Sequence, residues 1–168
     1  MIIRLAEYAD LDSVHEILSD GARFLHSNGV EQWTGGYPSR EIISGDIEKK
    51  GCYIAEIEGK PAAAFTLLPG PEEAYAITYG GEWLTEGTDY FVIHRIAVSA
   101  DYRGRGIAGR LFDFCFEKAG LRGGLSVRID THRDNKIMQR TIEKGGFTPC
   151  GYVIYKDTGE RLAYEKII

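Results

Sequence analysis

The sequence predicts an α/β fold: a mixed central sheet of six to seven strands flanked by about four helices. Three observations predict it. A buried apolar run, Tyr90–Val98, leads through a polar turn (Ser99–Tyr102) and a glycine- and arginine-rich loop (Arg103–Ala108) into an amphipathic helix. Ahead of it, Cys52–Ile57 and Pro61–Leu68 read as a hairpin joined by Glu58-Gly59-Lys60. Behind it, a strand, a helix and two further strands follow at short spacing.

In chain order, Ile2–Ala6 is a short strand. Asp10 is placed to cap a helix whose apolar stripe is Leu11, Val14, Ile17, Leu18, Ala22 and Leu25, and Asn28-Gly29 ends it. Residues Val30–Pro38 form a glycine-rich loop carrying Trp33 and Tyr37. Ser39 caps a short helix to about Lys50, with Ile42, Ile43 and Ile47 inward. Pro69-Gly70-Pro71 stops the second hairpin strand, and Glu72–Asp89, with Trp83, has no clean period and reads as irregular.

After the central strand and loop, Ile107, Leu111, Cys115 and Ala108, Phe112, Phe116, Ala119 recur at helical steps. Ser126–Thr131 is the next strand. Asp134 is placed to cap a helix holding Ile137, Met138, Thr141 and Ile142, closed by Gly145-Gly146. Phe147–Tyr155 and Leu162–Ile167 are final strands joined by a turn at Asp157-Thr158-Gly159. Residues 1–168 read as a single domain, with no repeat, low-complexity tract or linker.

Composition narrows the function classes. A chain that is 43% hydrophobic and 27% charged is an ordinary globular protein. Its net charge of −5 and pI of 5.4 argue against bulk attraction to nucleic acid or to an anionic membrane. Arg103, Arg105 and Arg110 are then a local basic spot on an acidic body. Three widely spaced cysteines (Cys52, Cys115, Cys150) lack zinc-ligand spacing and fit a reducing compartment, so no metal is expected. No apolar run is long enough to span a membrane and the start lacks signal-peptide shape, which makes the cytoplasm the expected location.

The loop carries the chemistry. A glycine turn opening a helix leaves backbone N–H groups unpaired at the positive end of the helix dipole, a cradle for phosphate. Arg103 and Arg105 add charges able to clamp phosphate oxygens. Gly104, Gly106 and Gly109 also satisfy G-x-G-x-x-G, with Asp130 ending a later apolar run, so a dinucleotide-binding oxidoreductase is an alternative. Against it, Val98 stands too far from Gly104 for the tight dinucleotide turn, and too few residues follow for a doubly wound sheet.

The run Ile93–Ala108 resembles motif A of the GCN5-related N-acetyltransferases (the GNAT superfamily), whose loop pattern Arg/Gln-x-x-Gly-x-Gly/Ala is met by Arg103, Gly106 and Ala108. Asn135 followed by Glu143-Lys144-Gly145-Gly146-Phe147 resembles the family's second motif. The resemblance implies the GNAT fold, splayed at an acetyl-coenzyme A site. It implies that the donor's pyrophosphate sits on Arg103, Gly104, Arg105, Gly106, Ile107 and Ala108. It also implies that the pantetheine arm pairs with Ile96, Ala97 and Val98 and that Asn135 hydrogen-bonds the donor. A purely capping role for Asn135 is the other reading.

Such a transfer needs a neutral amine, and His94, mid-strand beside the proposed pantetheine contacts, is the candidate base. The arylalkylamine N-acetyltransferases of this superfamily carry a histidine at the matching place. The plain alternative is a core histidine bonded to a backbone carbonyl. Arg95 is expected to pair with a carboxylate structurally. Ile142 stands where many relatives place a tyrosine that protonates the departing thiolate. Cys115, on the apolar stripe, reads as a buried inert thiol. Trp33, Tyr37 and Trp83 either wall an acceptor pocket or anchor loops to the core. The expected acceptor is a small-molecule or peptide amine, with no nucleic-acid or membrane partner, in a monomer or homodimer. The second reading of the same fold is a non-catalytic acyl-coenzyme A sensor.

Overall fold

A computed structural model describes residues 1–168. Seven strands and four long helices alternate along the chain: β1 (Ile2–Leu5), α1 (Leu11–Ser27), α2 (Arg40–Glu48), β2 (Cys52–Ile57), β3 (Lys60–Pro69), β4 (Tyr90–Val98), α3 (Ile107–Leu121), β5 (Ser126–Thr131), α4 (Lys136–Lys144), β6 (Thr148–Tyr155) and β7 (Gly159–Ile167). The strands form one sheet in the order β1-β2-β3-β4-β5-β7-β6. β1/β2, β2/β3, β5/β7 and β6/β7 are antiparallel, and β4/β5 is parallel. The mixed sheet with four helices is the predicted architecture, not a doubly wound parallel one. No helix is long and apolar enough to cross a membrane.

The chain gathers into two compact units, Met1–Leu68 with His94–Ala108, and Pro69–Ile93 with Gly109–Ile168. In the first, the stripe Val14, Ile17 and Leu18 of α1 buries against Ile43 and Ile47 of α2, Cys52, Ile54, Ala64 and Ala97, with Trp33 packed on the edge. Gly21 lies at this contact. A Cβ there would stand 3.0 Å from the Ala97 Cβ and 3.1 Å from the Trp33 ring, so a larger residue would require these neighbours to give by a few tenths of an ångström.

Helix capping differs in two places from expectation. Asp10 precedes α1 but makes no side-chain cap bond. Its two oxygens accept from Arg4 at 2.7 and 2.8 Å, because a guanidinium on the neighbouring strand out-competes a helix amide for a carboxylate. Asn135, not Asp134, caps α4: its Oδ1 accepts from the Met138 amide at 3.1 Å. Of the apolar residues on that helix, Ile142 is wholly buried and Ile137 is exposed. Ser39 caps α2 as expected.

In the second unit, Tyr75, Tyr90, Val92, Val153 and Ala163 form a core with Trp83 and Tyr155 against it. Phe147 meets Phe112 and Phe116, each at 5.3 Å between ring centroids. The stretch Glu72–Asp89 is irregular apart from a one-turn 3-10 helix at Glu73–Tyr75, yet it is well tied down. Tyr79 and Tyr152 exchange backbone hydrogen bonds at 2.9 Å. Glu165, fully buried on β7, accepts from the Leu84 amide at 2.5 Å and from Thr85, Ser126 and Arg128. Arg128 is the register partner of Glu165, and its guanidinium lies 4.2 Å from the Trp83 ring centre and 3.8 Å from that of Tyr90.

Candidate active site

β4 changes character in its middle. Residues Tyr90–Ile93 are buried and pair in parallel register with Ser126–Ile129. Two residues later Arg95 adopts φ +50°, left-handed backbone inside a strand, as at a β-bulge. A non-glycine residue there costs on the order of 1–3 kcal/mol and persists only where its surroundings hold it.

All three guanidinium nitrogens of Arg95 are bound. Arg95 Nε donates to Asp46 Oδ2 at 2.7 Å and Nη2 donates to Oδ1 at 2.9 Å, a two-pronged pair. Asp46, on α2, is buried and also accepts from Thr66 Oγ1 at 2.9 Å. The third nitrogen, Nη1, donates to the Tyr37 hydroxyl at 2.9 Å. Burial pulls the Arg95 pKa down, but its contacts with Tyr37 and Asp46 outweigh this and leave it raised. The expected carboxylate partner of Arg95 thus exists. Its identity had no local signal, because Asp46 comes from a distant helix.

His94 and Ile96 flank this residue, so the backbone at Arg95 sets how both are presented. His94 is half-buried in β4, Ile96 and Ala97 are buried, and Val98 is half-buried. The Ser99 amide donates to Ala62 O at 2.9 Å, fastening the end of the strand. A 3-10 turn at Ala100–Tyr102 follows, then the glycine loop.

In the loop the two predicted arginines part company. Arg103 Nε donates to Val98 O at 3.1 Å, its Nη2 pairs with Asp20 of α1, and its guanidinium lies 4.4 Å from the Phe24 ring centre. That charge is committed to α1 and the strand end. Arg105 is exposed, 5.4 Å from the Tyr102 ring centre, and keeps its charge toward solvent. Gly104 and Gly106 have φ +76° and +72°, and a Cβ on either would meet nothing within 4 Å. Glycine is needed there for the turn itself, not for space. Ile107, the first residue of α3, is buried and Ala108 half-buried, so the helix start is anchored while the turn before it is open. The first amides of any such helix lack partners within it. An open turn with left-handed glycines, an exposed arginine and a helix N-terminus is chemically suited to a phosphate group.

The three aromatics have different surroundings. Trp33, at φ +59°, packs against the core and the Gly21 position. Tyr37 is exposed, with its hydroxyl on Arg95. Trp83 belongs to the second unit, where its Nε1–H donates to Tyr75 O at 2.9 Å, the pattern of a core anchor. Asn135, also in the second unit, is buried and caps α4, and Ile142 is wholly buried on that helix. Asp130, the acidic residue of the dinucleotide reading, accepts from the hydroxyls of Tyr75 at 2.7 Å and Tyr155 at 2.9 Å. That engagement and the sheet order remove the structural ground for the dinucleotide alternative.

Comparison with known proteins gives a consistent picture. A profile described as the acetyltransferase (GNAT) family matches residues 12–147, a range running through both units. A Bacillus subtilis (strain 168) protein named Uncharacterized N-acetyltransferase YesJ is 26% identical over 148 residues, covering 87% of this chain and 81% of its own. A GNAT-family acetyltransferase structure from Streptococcus agalactiae 2603 superposes with a TM-score of 0.87 at 34% identity, over 99% of this chain and 95% of that one. One from Listeria monocytogenes 4b F2365, at 23% identity, gives a TM-score of 0.74 over 99% and 94%, a likeness of fold.

Proposed function

Because the chain belongs to the acetyltransferase (GNAT) family, we propose that it moves the acetyl group of acetyl-coenzyme A onto a primary amine of a small molecule or peptide by direct attack. The observation that carries this reading is the open turn Arg103–Ala108, with Gly104 and Gly106 in left-handed backbone beside an exposed Arg105 at the start of α3. That turn fits a pyrophosphate, and Ile96–Val98 offer backbone to the pantetheine arm by strand addition. Residues 1–168 act as one such domain. Three buried free cysteines support a cytoplasmic setting.

The chemistry follows from the acceptor's basicity. An amine of lysine type has a pKa of about 10.4, so near neutrality only about one molecule in a thousand carries a free lone pair. His94, directly or through water, takes the proton as the amine nitrogen bonds to the thioester carbonyl carbon. The carbon–sulfur bond then breaks and the sulfur leaves with the electron pair. With Ile142 buried where a tyrosine would stand, that thiolate departs without a proton from this position.

A thiol-release screen with acetyl-coenzyme A against polyamines, aminoglycosides, amino acids and peptide N-termini tests the proposal. Amine-dependent release is the expected result, and His94→Ala should cut it by about 10²–10⁴-fold while coenzyme A affinity stays. The buried Ile142 favours one second reading, an acyl-coenzyme A sensor. A sensor binds coenzyme A and releases no thiol with any amine.

A further inference from the structure

In the Arg95–Asp46 pair the arginine is itself in left-handed backbone. Its carboxylate is held from two sides, by α2 and by the Thr66 hydroxyl of β3, before it meets the guanidinium. The guanidinium spends Nε and Nη2 on Asp46 and Nη1 on Tyr37. One side chain therefore ties α2, β3 and the Val30–Pro38 loop to the residue between His94 and Ile96. We propose that Asp46 and Arg95 are positioning residues: their pair holds β4 in its kinked conformation, and the kink aims His94 and the Ile96–Val98 backbone at the acetyl donor.

The physical reasoning has two parts. A strand left to its own preferences would place residue 95 in extended backbone, turning its side chain and every later one to the other face. Something fixed outside the strand must oppose that, and a buried carboxylate with two matched hydrogen bonds is rigid enough to do so. Two-pronged geometry sets orientation as well as distance, which a single bond or a lysine ammonium does not. The carboxylate itself touches no reacting atom in this scheme. The inference rests on the donor-binding role proposed above for Ile96–Val98.

The test uses the whole chain, coenzyme A as probe, and hydrogen exchange. Asp46→Asn should weaken coenzyme A binding by about tenfold or more in titration calorimetry, since small misplacements of binding groups are costly. It should also speed amide exchange at Ile96–Val98. Combining it with Arg95→Gly should restore binding to within about threefold, because glycine accepts φ +50° unaided and no unpaired charge remains. Val14→Ala, a cavity variant in the α1 core, should lower Tm while keeping coenzyme A affinity. The proposal is overturned if Asp46→Asn lowers only Tm, with affinity and exchange at Ile96–Val98 unchanged, or if the double variant binds no better than the single one. Failure of the unaltered protein to bind coenzyme A would instead remove the donor reading. The exchange measurement then still decides whether the pair holds the kink.

Discussion

Two arginine pairs with buried carboxylates, one in each unit, use the same chemistry to different ends. Arg128 and Glu165 face each other across β5 and β7 in ordinary strand backbone, and Ser126, Thr85 and the Leu84 amide complete the carboxylate's hydrogen bonds. Arg95 and Asp46 join a strand to a helix, and the arginine sits where a strand residue would not go unaided. The first pair fastens an irregular segment to a regular sheet; the second keeps a strand irregular. A buried ion pair is therefore best read together with its backbone. Where the backbone is relaxed, removing the pair should cost stability. Where it is strained, removal should cost geometry.

The largest effect that could break this comparison is Glu165→Ala, expected to cost about 3–5 kcal/mol in urea unfolding by leaving Arg128 charged and unpaired in the interior. Replacing both partners by apolar residues (Arg128→Met with Glu165→Leu) should recover most of it. A loss under about 1 kcal/mol from Glu165→Ala would mean the pair behaves as a surface bridge, and the contrast would fall.

Acid titration is the next test. Burial pushes the Glu165 pKa up, but hydrogen bonds from Ser126, Thr85 and Arg128, with the Arg128 charge, outweigh it and leave the pKa below the ordinary 4.5. The folded value is the lower one, so this stabilisation is complete above the unfolded pKa and is lost as pH falls through the folded value. Urea midpoints should drop through the acid range below about pH 4.5, and the drop should be smaller in the Arg128→Met/Glu165→Leu variant. An equal drop in both would assign acid sensitivity to other carboxylates, such as Asp10, whose pKa Arg4 holds down.

The loop arginines sharpen the same distinction on a smaller scale. Arg105→Ala should weaken coenzyme A binding by about tenfold with Tm unchanged, because its charge faces solvent. Arg103→Ala should lower Tm, because it loses Asp20, Val98 O and the Phe24 face together. The smallest effect is Tyr37→Phe, about 1 kcal/mol or less in unfolding, since one hydroxyl on an exposed ring is lost while Asp46 still holds Arg95.

Much of this was legible in the chain because it depends on neighbours in sequence. The α1 stripe, the β2–β3 hairpin, the glycine turn before α3 and the final two strands follow from period and turn chemistry at short range. Cap assignment was only partly legible. Asp10 and Asp134 have the right chemistry one step from a helix, but a competing guanidinium took the first, and Asn135 stood one residue nearer the second helix. Arg103 and Arg105 are indistinguishable by spacing and sit in opposite environments, because Asp20 and Phe24 come from α1. Trp83 likewise reads as a loop aromatic until Tyr75 and Arg128 close around it.

The sequence by itself determined the order of strands and helices, the phosphate-suited turn with its glycines at 104 and 106, and membership of an acetyltransferase family, all of which are set by local preference and short-range pattern. Only the tertiary structure decided which arginine is anchored and which faces solvent, that Asp46 is the partner of Arg95, and that Arg95 takes left-handed backbone beside His94. Those outcomes depend on groups far apart in the chain meeting in a low-dielectric interior, where one carboxylate can hold a backbone angle that no run of residues specifies alone.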